Sequence, residues 1–247
     1  MKAAALLVLC AILAGCGGLA HRTVDVAGFT GVSTSAGIDV VVSTSTVDRS
    51  AIRDPGPSQP SPAAGWSVEV FADRQAMGRI VVEVRGATLW IGVPAATAAR
   101  ARWLASQARV DVALPSLEQL EVTDGSRARI ALEEPGTDVQ IALSRGSQAS
   151  GTIACAGLAI AASGSSIADL GGTAERVTLV ASDRAKLQLS SLETPSMSAI
   201  LSGGSTAAVA VSRELVVEAS GASGLSFRGD ARVEQQTLSG GSWLRRE

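Results

Sequence analysis

A short polar signature, Ser or Thr followed by small or polar residues and usually ending in Ser, recurs at Thr123, Ser144, Ser163, Ser182, Ser202, Ser220 and Ser239, at intervals of 21, 19, 19, 20, 18 and 19 residues. A period near twenty constrains the fold more than any other feature of this chain, because it marks one supersecondary unit stacked on the next. One, three and five residues before the signature stand Leu143, Ile141 and Val139 in one copy and Ala162, Ile160 and Leu158 in the next. Ala181, Leu179 and Val177 follow, and later Ala219, Val217 and Leu215. Alternation with period two is a strand with one buried face. Five and seven residues after the signature a second apolar pair recurs, as in Ala128 and Ile130, Ala168 and Leu170, Leu187 and Leu189, Ala207 and Val209, and Leu225 and Phe227. Each coil therefore carries two strands around one corner. The corners are built from Gly, Ser and Asp, as in Ser163-Gly164-Ser165-Ser166, because Gly reaches positive φ without strain and Ser bonds nearby backbone.

A coil of this length at roughly 3.3 Å per extended residue runs about 60 Å around, enough for two or three short faces, and coils stack at about 4.8 Å. The column three residues before the signature reads Leu120, Ile141, Ile160, Leu179, Ala199, Val217 and then Gln236. Apolar stacking fails only in the last coil, as expected of a terminal repeat that blunts an open sheet edge, and Arg245, Arg246 and Glu247 add charge there. The expected fold is all-β, a β-solenoid with coils of about 19–20 residues. Aromatics make up only 3% of the chain, in keeping with a narrow coil interior. Hexapeptide periodicity is absent, and only Asp124 and Asp183 lie within the turns, which argues against calcium in the corners. No cofactor or metal is expected.

The N-terminus carries a second signal. Lys2 precedes an apolar run from Ala3 to Leu13, followed by Ala14-Gly15-Cys16. A positive start, a short apolar core and small residues before a cut describe a secretory signal peptide. Leu13-Ala14-Gly15-Cys16 resembles the lipobox of bacterial lipoproteins, which implies removal of residues 1–15, acylation of Cys16 and a lipidated tether over 16–23. Several acyl chains hold firmly what one holds marginally, at about 0.8 kcal/mol per buried methylene. The membrane is thus the first expected partner. Gly17 is not the Asp that retains many such lipoproteins at the inner membrane, so the same resemblance implies the outer membrane. Cys10 leaves with the signal and Cys16 is acylated, which leaves Cys155 alone and no internal disulfide. Flanked by Ala154 and Ala156, Cys155 reads as a small core residue. The net charge of −2 supplies no basic stripe for nucleic acid.

Residues 24–247 read as one domain, with irregular coils over 24–115 and regular repeats over 116–247. The first part contains strand-like runs at Phe29 to Val42, Trp66 to Phe71, Arg79 to Val84, Thr88 to Val93 and Arg109 to Leu114. Four prolines between Asp54 and Pro62 make an exposed loop. The Ala- and Arg-rich insert from Pro94 to Gln107 suits a short helix on the solenoid flank. Phe29-Thr30-Gly31-Val32, Gly37-Ile38-Asp39-Val40-Val41-Val42, Leu89-Trp90-Ile91 and the run Val110 to Leu120, followed by the Ser-Gly corners, resemble the head-GIN domain family, labelled auto-transporter adhesins. The resemblance covers roughly Val24 to Trp243. It implies a right-handed β-helical fold in a secreted or lipid-anchored bacterial protein. Ser182-Asp183-Arg184-Ala185, a corner without Gly, and the 94–107 insert depart from the pattern.

Acid–base chemistry finds no constellation in this sequence. The single His, His21, falls in the expected tether, away from any preorganised site. Asp169, Asp183 and Asp230 fall at different phases of the repeat, and Glu133-Glu134 beside Pro135-Gly136 reads as a solvated loop. The candidate interaction patch is Trp90, Arg100, Arg102, Trp103 and Arg109, since Arg beside indole grips anionic ligands or protein surfaces. A plainer arrangement has Trp103 covering the flank while the arginines face water. The expected function is a non-catalytic, lipid-anchored envelope module that binds a protein or polysaccharide. The alternatives are a carbohydrate-active β-helix enzyme, with carboxylates converging from different coils, and an envelope assembly or stress accessory acting through a protein partner.

Overall fold

The computed structural model describes residues 20–44, 65–94, 103 and 106–247. The corners set the coil. At all seven signatures the two residues after the Ser or Thr have positive φ, from Asp124 (56°) and Gly125 (74°) to Gly240 (60°) and Gly241 (77°). Two consecutive positive φ values make a type I′ turn, closed for example by Ser166 N–H donating to Ser163 O at 3.3 Å. An eighth such corner, Ser35 to Ile38, has Ala36 (66°) and Gly37 (77°) at its centre. The corner without Gly keeps the same geometry, at Asp183 (53°) and Arg184 (64°). Successive corners bond to one another, as when Gly146 N–H donates to Gly164 O at 2.9 Å and Arg184 N–H to Gly203 O at 3.0 Å. The Ser that ends five of the seven signatures points inward: Ser126, Ser147, Ser166, Ser205 and Ser223 are fully buried, as is Ala185 at the same place in the corner without Gly. The hydroxyls of Ser166, Ser205 and Ser223 donate to the first carbonyl of their own corner at 2.6–2.8 Å. That recurrent Ser therefore satisfies its own turn.

Between corners run long strands. β9 (Arg127–Leu143), β10 (Gln148–Ala162), β11 (Ile167–Ala181), β12 (Lys186–Leu201) and β13 (Thr206–Ala219) follow in order, each parallel to the next. Each strand bends once in its middle, so each coil has a tight corner on one side and a second bend on the other. The expected column is one register ladder: Leu120 pairs Ile141, Ile141 pairs Ile160, and the ladder continues through Leu179, Ala199 and Val217 to Gln236. All but Gln236 are buried. Full burial of a Leu, Ile or Val side chain contributes about 1.5–3 kcal/mol, so this interior is the main stabilising feature. At the second bend, Gly172 takes φ +113° directly against the carbonyl oxygen of Ile153 in the preceding coil. A side chain there would collide with fixed backbone.

The irregularity expected over 24–115 has a definite cause. The remaining early elements are β1 (Ala20–Val24), β2 (Gly31–Thr34), β3 (Asp39–Thr44), β4 (Ser67–Ala72), α1 (Arg74–Met77), β5 (Val81–Arg85), β6 (Thr88–Gly92), β7 (Arg109–Leu114) and β8 (Gln119–Val122). β2 lies between β6 and β8, and β3 between β7 and β9. The chain thus lays down its second coil first, runs out to build the coil before it, and returns across it, with Glu118 N–H donating to Thr30 O at 2.8 Å. Antiparallel strands finish that end: β4 pairs β7, β1 pairs β4 and β5 pairs β6.

Several expectations change here. Ala20 to Thr23, assigned from sequence to the tether, belong to β1, and His21 with them. His21 stacks on Phe71 at 4.9 Å, with Nε2 4.0 Å from Glu69 Oε2. The run expected from Arg79 begins at Val81, because Asp73 caps one helical turn ahead of it by accepting from Gln75 N and Ala76 N at 2.6 and 2.8 Å. Glu134 is not in a solvated loop. It is buried within β9, where it accepts from Ser116 Oγ at 2.6 Å and Leu117 N at 3.0 Å. The proline-rich loop and most of the 94–107 insert lie outside the described residues. At the far end, β14 (Gly224–Arg228) and β15 (Arg232–Leu238) form a coil on β13, and β16 (Trp243–Arg246) stacks on β14 beyond it; Val233, Leu238 and Leu244 are only partly buried there.

Candidate functional site: a groove along the second bend

Coil length decides the shape of the second bend. β12 has 16 residues and β13 has 14, so the register between them jumps from Leu189–Val209 to Glu193–Ala210, and Ser190 to Leu192 have no partner on β13. The resulting groove, about 860 Å³, runs along the solenoid from Pro135 to Gly229. That volume falls within the usual range of small-molecule sites.

Its floor is apolar. Cys155, Ala174, Thr194 and Val211, one from each of four successive coils, are all buried. The Thr194 hydroxyl is turned to Ser196 O at 3.1 Å, which leaves its methyl as the lining surface. Burial raises the Cys155 thiol to about 11, with the charges of Asp138 and Glu134 adding to the effect. It stays protonated at neutral pH and acts as a small apolar residue.

The charges are on the rim. Thr173, Glu193, Ala210 and Arg228 are register partners across β11, β12, β13 and β14. Glu193 and Arg228 therefore flank Ala210 at about 10 Å from one another, two coil spacings. Neither has an ion pair among the described residues. The third charged lining residue, Glu175, has Arg176 at 3.9 Å. Among the described residues, no aromatic ring lines the groove. Among the described residues no three His, Cys, Asp or Glu side chains gather to hold a metal.

Of the residues singled out from sequence, Trp90, Trp103 and Arg109 are among those described. Trp90 is half-buried on β6 with the Arg85 guanidinium 4.2 Å over its ring. Arg109 sits on β7, on another face of the same coil, and donates to both carboxylate oxygens of Asp111 at 2.7 and 3.3 Å. Trp103 is 64% exposed, so it does not cover the flank. Cys16, Arg100 and Arg102 lie outside the described residues. The groove itself was missed, although its signal stood in the spacing: an interval of 20 followed by one of 18 is a long coil stacked on a short one.

Comparison with known proteins agrees with this architecture. The family model described as "Putative auto-transporter adhesin, head GIN domain" matches residues 63–231. A solved structure of a putative adhesin from Bacteroides fragilis NCTC 9343 aligns with a TM-score of 0.73 at 14% identity, covering 93% of this chain and 96% of that one. A putative adhesin from Parabacteroides distasonis ATCC 8503 aligns at 0.64 and 15% identity, covering 94% and 98%. A further structure from that organism, described as a putative lipid binding protein, aligns at 0.63 and 11% identity with the same coverage. At such identities the likeness establishes the fold. No curated protein matches this chain.

Proposed function

The chain belongs to the head GIN domain family, and on that premise we propose that it is a non-catalytic binding module of the bacterial envelope whose second-bend groove holds the apolar part of an amphiphilic ligand. The groove's apolar floor is the observation that carries this reading. Burying an apolar chain against Ala174, Thr194 and Val211 gains about 25 cal/mol for each Å² removed from water. A polysaccharide would be expected to find a ring to stack on, and the lining has none. The description of one similar structure as lipid binding points the same way. The module is held to the membrane, at the outer membrane, by acyl chains on Cys16. Replacing Cys16 with Ser should release it from the membrane fraction; continued fractionation with membranes would rule out the acyl anchor.

A protein partner is the second reading. It is favoured by Val180 and Ile200, register partners on β11 and β12 that are 43% and 45% exposed. The experiment that separates the two uses saturable binding of envelope extract. Ala210→Trp fills the groove and should abolish binding, while Val180→Asp with Ile200→Asp should leave it intact. The opposite pattern would transfer the function to the outer face.

A further inference from the structure

The groove is chemically asymmetric along its length, and the asymmetry names a ligand. At one end stand Glu193 and Arg228, at the same register on either side of β13, with only the methyl of Ala210 between them. Away from them the floor runs through Thr194 and Ala174 to Cys155, all buried. The other carboxylate of the lining, Glu175, has Arg176 at 3.9 Å. Among the described residues, one anion and one cation without an ion pair, with an apolar track leading away, describe the complement of a zwitterionic amphiphile.

We infer that the groove selects an acyl lipid whose head group joins a phosphate to a primary ammonium, as in an ethanolamine phospholipid, with one acyl chain along the floor. This rests on the reading of the groove as the binding site. Arg228 presents a planar fork that suits phosphate oxygens, and Glu193 accepts from an ammonium N–H; both are charge-assisted bonds, stronger than neutral ones. A glycerol head group leaves Glu193 facing a neutral hydroxyl, with no cation to neutralise it. A trimethylated amine carries the charge but has no N–H to donate. The pair at the rim therefore discriminates by head group, while the floor contributes affinity common to all three lipids.

The test is calorimetric titration of the full chain carrying Cys16→Ser with short-chain lysophosphatidylethanolamine, lysophosphatidylglycerol and lysophosphatidylcholine, each below its micellar concentration. Lysophosphatidylethanolamine should bind about tenfold more tightly than either of the others. Glu193→Gln should erase its advantage over the glycerol lipid, and Arg228→Gln should weaken all three. Both side chains are exposed, and far-ultraviolet circular dichroism should confirm that the variants fold. Equal affinities for the three lipids, or a ranking unchanged by Glu193→Gln, would overturn the inference. If no lysolipid binds while Ala210→Trp still abolishes capture of envelope extract, the head-group assignment fails and the groove remains the site. If Ala210→Trp leaves extract capture intact, the groove reading itself fails.

Discussion

Replacing Gly172 with Ala should be among the most damaging single changes available to this chain. The backbone there has φ +113°, and a methyl group would stand 2.0 Å from the carbonyl oxygen of Ile153 and 2.9 Å from that residue's carbonyl carbon. A carbon rests against a carbonyl oxygen at about 3.3 Å or more, so β10 and β11 would have to part by more than about 1 Å at the bend. Ladder hydrogen bonds between them would be lost, at about 1 kcal/mol each and more where a buried group is left unpaired. The backbone strain adds about 1–3 kcal/mol. A loss of at least about 4 kcal/mol follows, against a total of about 5–15 kcal/mol for a typical domain. Urea denaturation followed by far-ultraviolet circular dichroism measures it, with Gly136→Ala as control. At Gly136 a methyl group would meet nothing within 4 Å, and the backbone has no left-handed φ, so that change should fall between neutral and about 1 kcal/mol stabilising. Because each coil touches only its neighbours, Gly172→Ala should also open a protease-sensitive seam between β10 and β11. If the two variants unfold within about 1 kcal/mol of each other, close glycine packing does not build the second bend.

Three further outcomes are expected. Leu179→Ala, in the middle of the buried column, should cost about 2–5 kcal/mol by the same denaturation assay, whereas Gln236→Ala at its exposed end should stay within about 0.5 kcal/mol. Arg184→Gly relieves a left-handed non-Gly residue at φ 64° and should stabilise by about 0.5–1 kcal/mol, the strain removed less the entropy that Gly adds to the unfolded chain. Cys155 holds its proton to about 11 in the folded state, against 9.0 for the free thiol. Its contribution is therefore intact below pH 9 and declines from there to about pH 11, where the unfolded chain has released the proton and the folded one has not. At about 1.36 kcal/mol for each pH unit separating the two values, the full loss is about 2–3 kcal/mol. The chain has no Tyr to titrate in the same window, and denaturation at stepped alkaline pH should show the slope vanish in Cys155→Ala.

The corners and the column were legible in the sequence because both are local. A type I′ turn demands Gly, Asp or Asn at fixed positions, and a one-sided strand demands alternation, so Ser163 to Ser166 and Ile160 announce themselves. The corner at Ser35 to Ile38 was hidden because it ends in Ile38 rather than Ser and no further corner of this kind follows it among the described residues until Thr123, so it falls outside the regular period. The order of the first coils was hidden for a different reason: placing β2 between β6 and β8 depends on pairing across some 57 and 88 residues of sequence separation, as between Gly31 and Thr88 or Gln119. His21 read as tether because its strand is short and is held by β4, far along the chain. The groove arises from a difference in length between neighbouring coils. The intervals of 20 and 18 were visible, but a period only becomes a shape once coils are stacked.

Function in this chain turns on where a ligand sits. The most direct measurement is photocrosslinking of the chain with a lipid bearing a photoreactive acyl chain, with adduct positions read by peptide mass spectrometry. Adducts on Ala174, Thr194, Ala210 and Val211 are predicted, reduced by excess unlabelled lysophosphatidylethanolamine. Adducts confined to Val180, Ile200 or Trp90, with the groove unlabelled, would contradict it.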